Sequence, residues 1–258
     1  MESDSNWDLI DPHTKEVKTS VMARELWKKI LSTRMETGEP YLHFTDTSNR
    51  ALPVSMKLKG LKIRGSNLCN EIMLPTEADR TAVCCLSSVN VAKYDEWKDD
   101  PQFIKDLIEM LDNTLQVFID KAPPQMWRAV NSATKERSLG LGAMGFHTYI
   151  QSKGVCFETA IALGLTRSIF SKIYHQAKAA SGELAIERGE PEDMIGSGYR
   201  NAHVMAIAPN ATSSYLCGNV SPGIEPLNSN CFKADTLSGT FQIINQELAK
   251  VLDKYGCK

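Results

Sequence analysis

Eight consecutive residues, Leu139-Gly140-Leu141-Gly142-Ala143-Met144-Gly145-Phe146, carry no polar side chain and are mostly small. Small residues let one stretch of backbone approach another closely, so this run is expected to lie buried against neighbours. His203 to Ala208, mostly apolar and short, reads as a buried strand. Helical periodicity separates such runs. In Gln102 to Lys121, Ile104, Leu107, Ile108, Leu111, Leu115 and Phe118 fall at steps of three and four, and Pro123-Pro124 closes the segment. Helices alternating with near-continuously apolar strands predict an α/β domain, a sheet covered by helices.

The remaining elements follow from the same patterns. Val21 to Arg34 is expected to be a helix burying Val21, Leu26, Trp27, Ile30 and Leu31, ended by Thr37-Gly38-Glu39-Pro40. Tyr41 to Phe44 reads as a short strand and Thr45 to Gly65 as a loop. Glu71 to Pro75 and Ala82 to Val91 read as extended, with the polar stretch Thr76 to Arg80 between them. Phe157 to Arg188 reads as mainly helical with a break near Gly164, and Phe241 to Tyr255 as an amphipathic helix with Ile244, Leu248 and Leu252 on one face. The first of these elements is a helix with no strand before it and the last is a helix, so the chain is expected to be a piece of a longer one.

Several functional classes are disfavoured. The formal net charge is -2 and no basic stripe stands out, against a direct nucleic-acid partner. The acidic, polar start Glu2-Ser3-Asp4-Ser5-Asn6 is not a secretory signal, and the apolar runs are short of a membrane span. Seven cysteines at irregular spacing do not form a secreted disulfide framework. A reducing cytoplasm is expected, where a cysteine matters for its chemistry.

That chemistry is best concentrated in Ser66-Asn67-Leu68-Cys69-Asn70-Glu71. If this stretch is extended, Asn67, Cys69 and Glu71 project to one side at a two-residue period. An amide, a thiol and a carboxylate then share one small volume. The thiol can be a nucleophile, a ligand or a hydrogen-atom donor, the carboxylate can take a proton from a substrate hydroxyl, and the amide can fix that hydroxyl. The plainer alternative is a cysteine that is simply a small packed side chain. In Cys84-Cys85-Leu86-Ser87, an extended backbone sends the two cysteines to opposite faces, against a vicinal disulfide. No C-x-x-C and no histidine at ligand spacing supports a zinc site, and no metal ligands are assigned. Pro209-Asn210-Ala211-Thr212-Ser213-Ser214, after the strand ending at Ala208, suits either an anion cradle or an ordinary turn with a helix cap. Gly218 to Pro226 is a turn-rich loop, either functional or a solvent-exposed connector.

Together these strings resemble the large (catalytic) subunit of class I ribonucleotide reductases, including versions found in phages and their bacterial hosts. Asn67-x-Cys69-x-Glu71 with Ile72 and Leu74-Pro75 resembles the finger-loop signature. Cys84-x-Leu86-Ser87 with Asn90 resembles the strand bearing a redox-active cysteine, and Arg137, Gly140 and Gly142 resemble an Arg-x-x-Gly-x-Gly stretch. Pro209-x-x-Thr212-Ser213-Ser214 resembles the substrate-diphosphate loop, and Gly223-Ile224-Glu225-Pro226 the segment after it. The strings occur in the family's order from about Trp7 to Asn230.

The resemblance implies part of a ten-stranded α/β barrel, spanning 1–258, with a central finger loop at about 65–75 and a phosphate loop at 209–214. It implies reduction of ribonucleoside diphosphates: Cys69 as the radical sulfur, Glu71 taking the 3′ hydroxyl proton, Asn67 orienting the ribose hydroxyls, and Cys84 supplying a reducing equivalent and then forming a disulfide. Cys84 aligns better than Cys85 with the family cysteine. The diphosphate falls to Pro209, Asn210, Ala211, Thr212, Ser213 and Ser214. No cofactor is expected on this segment itself. The radical comes from the metal cofactor of a separate small subunit, and thioredoxin or glutaredoxin serves as external dithiol. Other partners are the remaining large-subunit segments and a second copy of the complete large subunit, with no nucleic acid and no membrane, in the cytoplasm (the host's, if phage-encoded). No cysteine precedes Cys69 and no Tyr-Tyr pair occurs. The partner redox cysteine, the N-terminal effector regions and the C-terminal tyrosine relay are therefore expected to lie outside this chain, which alone should be inactive. A non-catalytic piece that only binds partner subunits or nucleotide is the competing expectation.

Overall fold

The computed structural model describes residues 4–236 and 239–256. Cys257 therefore lies outside the described residues. The chain divides into two compact units, one ending at Phe44 and the other beginning at Thr45.

In the first unit, β1 (Asn6–Ile10) and β2 (Val17–Met22) form an antiparallel hairpin leading into α1 (Ala23–Thr37). The hairpin was not legible in the sequence. The helix was, and it ends as expected: Gly38 takes the left-handed conformation (φ 81°) and its N–H bonds to the Arg34 carbonyl at 2.8 Å. The expected buried stripe is only half-buried at Val21, Leu26, Trp27 and Ile30, and Leu31 is exposed. Tyr41 to Phe44 is not a strand.

The second unit opens with α2 (Thr45–Ala51) and α3 (Val54–Leu58) where a loop was expected. Leu52 and Met56 pack there with Ile63, Met194 and Ala202 in a small core. Glu71 to Pro75 is not a strand, and the second extended segment becomes one only from Leu86. The main layer follows: β3 (Leu86–Asn90), α4 (Tyr94–Trp97), α5 (Phe103–Lys121), α6 (Trp127–Glu136), β4 (Gly140–Met144), α7 (Phe146–Ser152) and α8 (Ala160–Arg188). β3 and β4 are parallel, with Leu86 opposite Gly140 and Asn90 opposite Met144. A parallel pair needs a crossover, and α4, α5 and α6 supply it. α8 runs through Gly164 without a break.

Residues 203–206 lie along the other edge of β4. Leu141 bridges Met205 in parallel, the Leu139 N–H bonds to the His203 carbonyl at 2.9 Å, and the Leu141 N–H to that of Val204 at 3.1 Å. The order β3, β4, then 203–206 has helices in each connection, but His203 to Ala208 is not the buried strand expected: it makes a single bridge at Met205 and, Val204 apart, is only half-buried. Among the described residues the sheets have two strands each and no barrel closes. The core lies between strands and helices: Val89, Leu141 and Ala143 meet Ile104, Ile108 and Leu115 of α5 and Ile169 and Ile173 of α8.

The glycines of β4 explain this packing. A Cβ on Gly140 would fall 2.4 Å from Leu86 Cδ2 and 2.9 Å from the Ala206 Cβ, and one on Gly142 would fall 2.6 Å from the Ala206 carbonyl oxygen. That oxygen is backbone and cannot swing aside. Gly142→Ala is therefore expected to destabilise the chain by about 1–3 kcal/mol, the usual cost of overpacking. Gly164, mid-helix with nothing within 4 Å of its Cβ position, is the control. Gly164→Ala should stabilise by up to ~1 kcal/mol. Denaturant midpoints of both variants test the pair, and a neutral Gly142→Ala would refute the close-approach reading.

Beyond α8 the chain forms α9 (Ser213–Leu216), a hairpin of β5 (Cys231–Thr236) and β6 (Gly239–Ile244), and α10 (Gln246–Lys254). The last helix thus starts five residues later than its apolar pattern suggested. Phe241 and Ile244 belong to β6, and Asn245 caps α10 by accepting from the Glu247 and Leu248 N–H groups.

Candidate active site

The stretch Asn67 to Glu71 is not extended. The Asn70 N–H bonds to the Asn67 carbonyl at 3.2 Å, and Asn70 sits at φ 61°. These residues form a tight turn whose arms are paired by the Asn67 N–H to the Ile72 carbonyl, 3.2 Å. The expected two-residue period fails because Asn67 uses its own side chain to build the turn. Its Oδ1 accepts from the Glu71 N–H at 3.1 Å and the Ile72 N–H at 3.0 Å. Asparagine favours such side-chain-to-backbone turns.

The turn still gathers chemistry. Cys69 is exposed at its tip. Glu71 is half-buried, and its Oε2 is fully shielded from solvent with no protein hydrogen-bond partner. Buried carboxylate oxygens are nearly always satisfied, so this one can accept a further donor. Glu71 lines a cavity of about 210 Å³ together with Cys84, Ser138, Gly140, His203 and Ala206. Burial first, then the charges of Glu71 and Cys69, push the Cys84 thiol above its ordinary value. Three of the expected site residues thus lie within electrostatic reach of one another, with Cys84 held as a neutral thiol at pH 7.

Cys84 and Cys85 do face opposite environments. Cys84 is exposed, whereas Cys85 is buried and its Sγ lies 3.4 Å from the Leu111 carbonyl of α5. Among the described residues no cluster of three or more His, Cys, Asp or Glu side chains is placed to hold a metal. No helix there is long and apolar enough to cross a membrane.

Residues 209–214 follow the edge segment, and the helix expected after them is α9, a single turn. The Asn210 N–H bonds to the Pro222 carbonyl at 2.9 Å and the Ser214 N–H to that of Asn210 at 2.9 Å. Ser214 is buried with its Oγ on the Ala211 carbonyl, while Pro209, Ala211, Thr212 and Ser213 are exposed. None of the six lines the cavity of Glu71 and Cys84. The turn-rich loop after α9 is not a free connector in its first half. Val220, Ser221 and Gly223 are buried, and the Ser221 carbonyl takes the Gly145 N–H at 2.7 Å.

Two buried polar groups escaped the sequence. Asp112 of α5 accepts from Arg137 Nε (2.8 Å), Arg200 Nε (2.9 Å) and Asn201 Nδ2 (3.1 Å). A signal existed: Asp112 interrupts the apolar stripe between Ile108 and Leu115. Burial opposes its charge, but the hydrogen bonds and charges of Arg137 and Arg200 outweigh that and lower its pKa. Arg137, the first residue of Arg-x-x-Gly-x-Gly, is thereby a structural anchor. The second group is Glu136, buried at the end of α6, with Ser138 and His203 beside it. No local pattern marked it.

Comparison with known proteins places these features in context. The family model described as "Ribonucleotide reductase, barrel domain" matches residues 1–197 and 191–258. The chain is 51% identical over 250 residues to the "Ribonucleoside-diphosphate reductase large subunit" of Invertebrate iridescent virus 3, covering 97% of this chain and 40% of that protein. It is 31% identical over 274 residues to the protein of the same name from Caenorhabditis elegans, covering 93% of this chain and 34% of that one. Among solved structures it is similar to the "Actinobacillus ureae class Id ribonucleotide reductase alpha subunit", with a TM-score of 0.82 and 40% identity over 90% of this chain and 43% of that one. The chain thus spans less than half the length of these relatives.

Proposed function

The chain belongs to the ribonucleotide reductase barrel-domain family, and on that premise we propose that it is the part of a large subunit that reduces ribonucleoside diphosphates to 2′-deoxyribonucleoside diphosphates. The observation that carries this reading is the shielded, unpartnered Glu71 Oε2 on the cavity wall it shares with Cys84. A substrate hydroxyl is the kind of donor that oxygen lacks. In this reading Cys69, as a sulfur radical, removes the hydrogen atom from the ribose 3′ carbon, and Glu71 takes the 3′ hydroxyl proton. Asn67 orients the hydroxyls, and Pro209 to Ser214 hold the diphosphate. The 2′ hydroxyl leaves as water, Cys84 with a partner cysteine gives two hydrogens and becomes a disulfide, Glu71 returns the hydroxyl proton, and Cys69 returns its hydrogen atom to the 3′ carbon and is again the radical, so atoms and electrons balance. The raised pKa of Cys84 suits this role, because hydrogen must leave from a thiol rather than a thiolate.

The remaining large-subunit segments would complete the ten-stranded barrel around the finger loop and supply the partner cysteine. A separate small subunit would supply the radical from its metal cofactor, thioredoxin or glutaredoxin would reduce the disulfide, and the complete large subunit would form a homodimer in the cytoplasm. The test is dithiol-dependent conversion of a ribonucleoside diphosphate by the complete large subunit with its radical-generating partner. Turnover is expected there and none from the chain alone. A complete, correctly folded pair that binds nucleotide without reducing it would favour the non-catalytic alternative, and turnover by the isolated chain would contradict the assignment of the missing parts.

A further inference from the structure

The cavity of Glu71 and Cys84 has a polar wall that the proposed reaction does not use. Ser138 and His203 both line it. Ser138 Oγ lies 3.1 Å from His203 Nδ1 and 3.1 Å from Glu136 Oε2. Glu136 is buried, its Oε1 accepts from Ser132 Oγ at 2.7 Å, and Arg80 lies 3.9 Å from Oε1. Arg80 in turn faces the buried Asp193 at 2.6 Å, which Lys59 also approaches at 3.6 Å. On the other side, the ammonium of Lys178 on α8 acts on His203.

Hydrogen-bond arithmetic makes this a coupled unit. A serine hydroxyl has one hydrogen and two lone pairs. When Glu136 is ionised, that hydrogen goes to the carboxylate, and His203 must donate from Nδ1, leaving Nε2 as a bare acceptor. When Glu136 is protonated, the proton favours Oε2, since Oε1 already takes the Ser132 hydroxyl and faces Arg80. Oε2 then donates to Ser138, Ser138 donates to Nδ1, and the hydrogen of the imidazole sits on Nε2.

We propose that Glu136, Ser138 and His203 form a proton-positioning chain that sets, through the tautomer of His203, whether the imidazole offers an acceptor or a donor beside Glu71 and Cys84. Two further facts fit. Burial pushes the Glu136 carboxyl up, against the opposing pull of Ser132 and Arg80. Burial and then Lys178 hold the His203 imidazole down to about 4, so it stays neutral while its tautomer changes. This inference rests on the reductase reading for its purpose. When an external dithiol reduces the Cys84 disulfide, Cys84 leaves as a thiolate. One proton then passes from Nε2 to that sulfur, Ser138 returns a hydrogen to Nδ1, and Glu136 supplies Ser138 and becomes ionised. The net step moves one proton from Glu136 to Cys84 while the dithiol is oxidised, and Glu136 regains a proton from solvent between turnovers.

The switch is tested on the chain itself by ¹⁵N chemical shifts of the His203 ring across the pH range in which the chain stays folded. The Nε2–H tautomer is expected at the acidic end and the Nδ1–H tautomer at the basic end. Glu136→Gln and Ser138→Ala should each freeze one tautomer across the range. A single tautomer throughout in the unaltered chain, or a switch that persists in Ser138→Ala, would overturn the proposal. In the complete reductase, Ser138→Ala should slow dithiol-dependent multiple turnover on the order of 10²-fold, typical of a lost proton donor, and shift its pH profile. An unchanged multiple-turnover pH profile would remove the catalytic purpose. Absence of turnover from the unaltered enzyme would instead sink the reductase reading and leave the ring spectra to decide the switch.

Discussion

Cys69→Ala, placed in the complete large subunit with its radical-generating partner, is expected to abolish deoxynucleotide formation, a loss on the order of 10⁴-fold or more. The loss should extend to a single turnover and to release of base from substrate, because in the proposed reaction the Cys69 radical starts hydrogen-atom abstraction. Cys84→Ala should fail differently. In the proposed reaction its sulfur acts after abstraction, so the first step should proceed and the radical be trapped or misdirected, with base released from substrate. Cys85→Ala is the internal control. Its sulfur is buried against α5 on the opposite side, and alanine there costs packing, about 1 kcal/mol, with activity retained. Base release assayed for the three variants decides the matter. Retained base release in Cys69→Ala, equal to that of Cys84→Ala, would remove Cys69 from the radical role.

The second large effect concerns stability. Asp112→Ala leaves Arg137 and Arg200 facing each other's charge in the interior, and Arg188, 3.4 Å from Asp112 Oδ2, adds a third guanidinium. Removing one partner of a buried ion cluster typically costs about 3–5 kcal/mol, and a loss of that size in urea unfolding is expected here. The pH dependence follows from the lowered carboxyl pKa. A folded-state pKa below the unfolded value of 3.8 gives a contribution that is full above that pH and lost as pH falls through the folded value. The Asp112→Ala penalty should therefore shrink in strong acid. A variant within 1 kcal/mol of the parent at pH 7 would show that the arginines find other partners and that the cluster is not a keystone.

Which parts of the molecule were legible depends on whether the cause was local. α5 was read almost residue by residue because its apolar positions repeat at the helical period and meet α8. The burial of β4, though not its strand, was read because a run without polar atoms must be buried. The opposite environments of Cys84 and Cys85 were expected from the alternation of an extended backbone, although β3 begins only at Leu86. By contrast, α2 and α3 lack a wide apolar face and are held through Leu52 and Met56 by residues more than a hundred positions away. The hairpins were missed because Lys233 and Asp235 break the apolar pattern of β5, and because pairing of β1 with β2 depends on register. Phe241 to Ile244 fitted a helical face as well as a strand, and the cap at Asn245 decided between them. In the site, residue types were legible and geometry was not. Asn67, Cys69 and Glu71 were chosen on an extended backbone that does not exist. Glu136, Ser138 and His203 meet across nearly seventy residues, a distance no spacing rule covers.

The turn at Asn67 splits one amide into two halves with different masters. Its oxygen is committed to the backbone of Glu71 and Ile72, and only its NH₂ is free to face a ligand. An oxygen resting there would accept from Asn67 and spend its own hydrogen elsewhere, which in the proposed reaction goes to Glu71. The direction of the hydrogen bonds across the ligand is thus written by a loop-closing contact before any ligand arrives. An aspartate at position 67 would keep the loop and reverse the message, which makes shape and polarity separable at a single side chain.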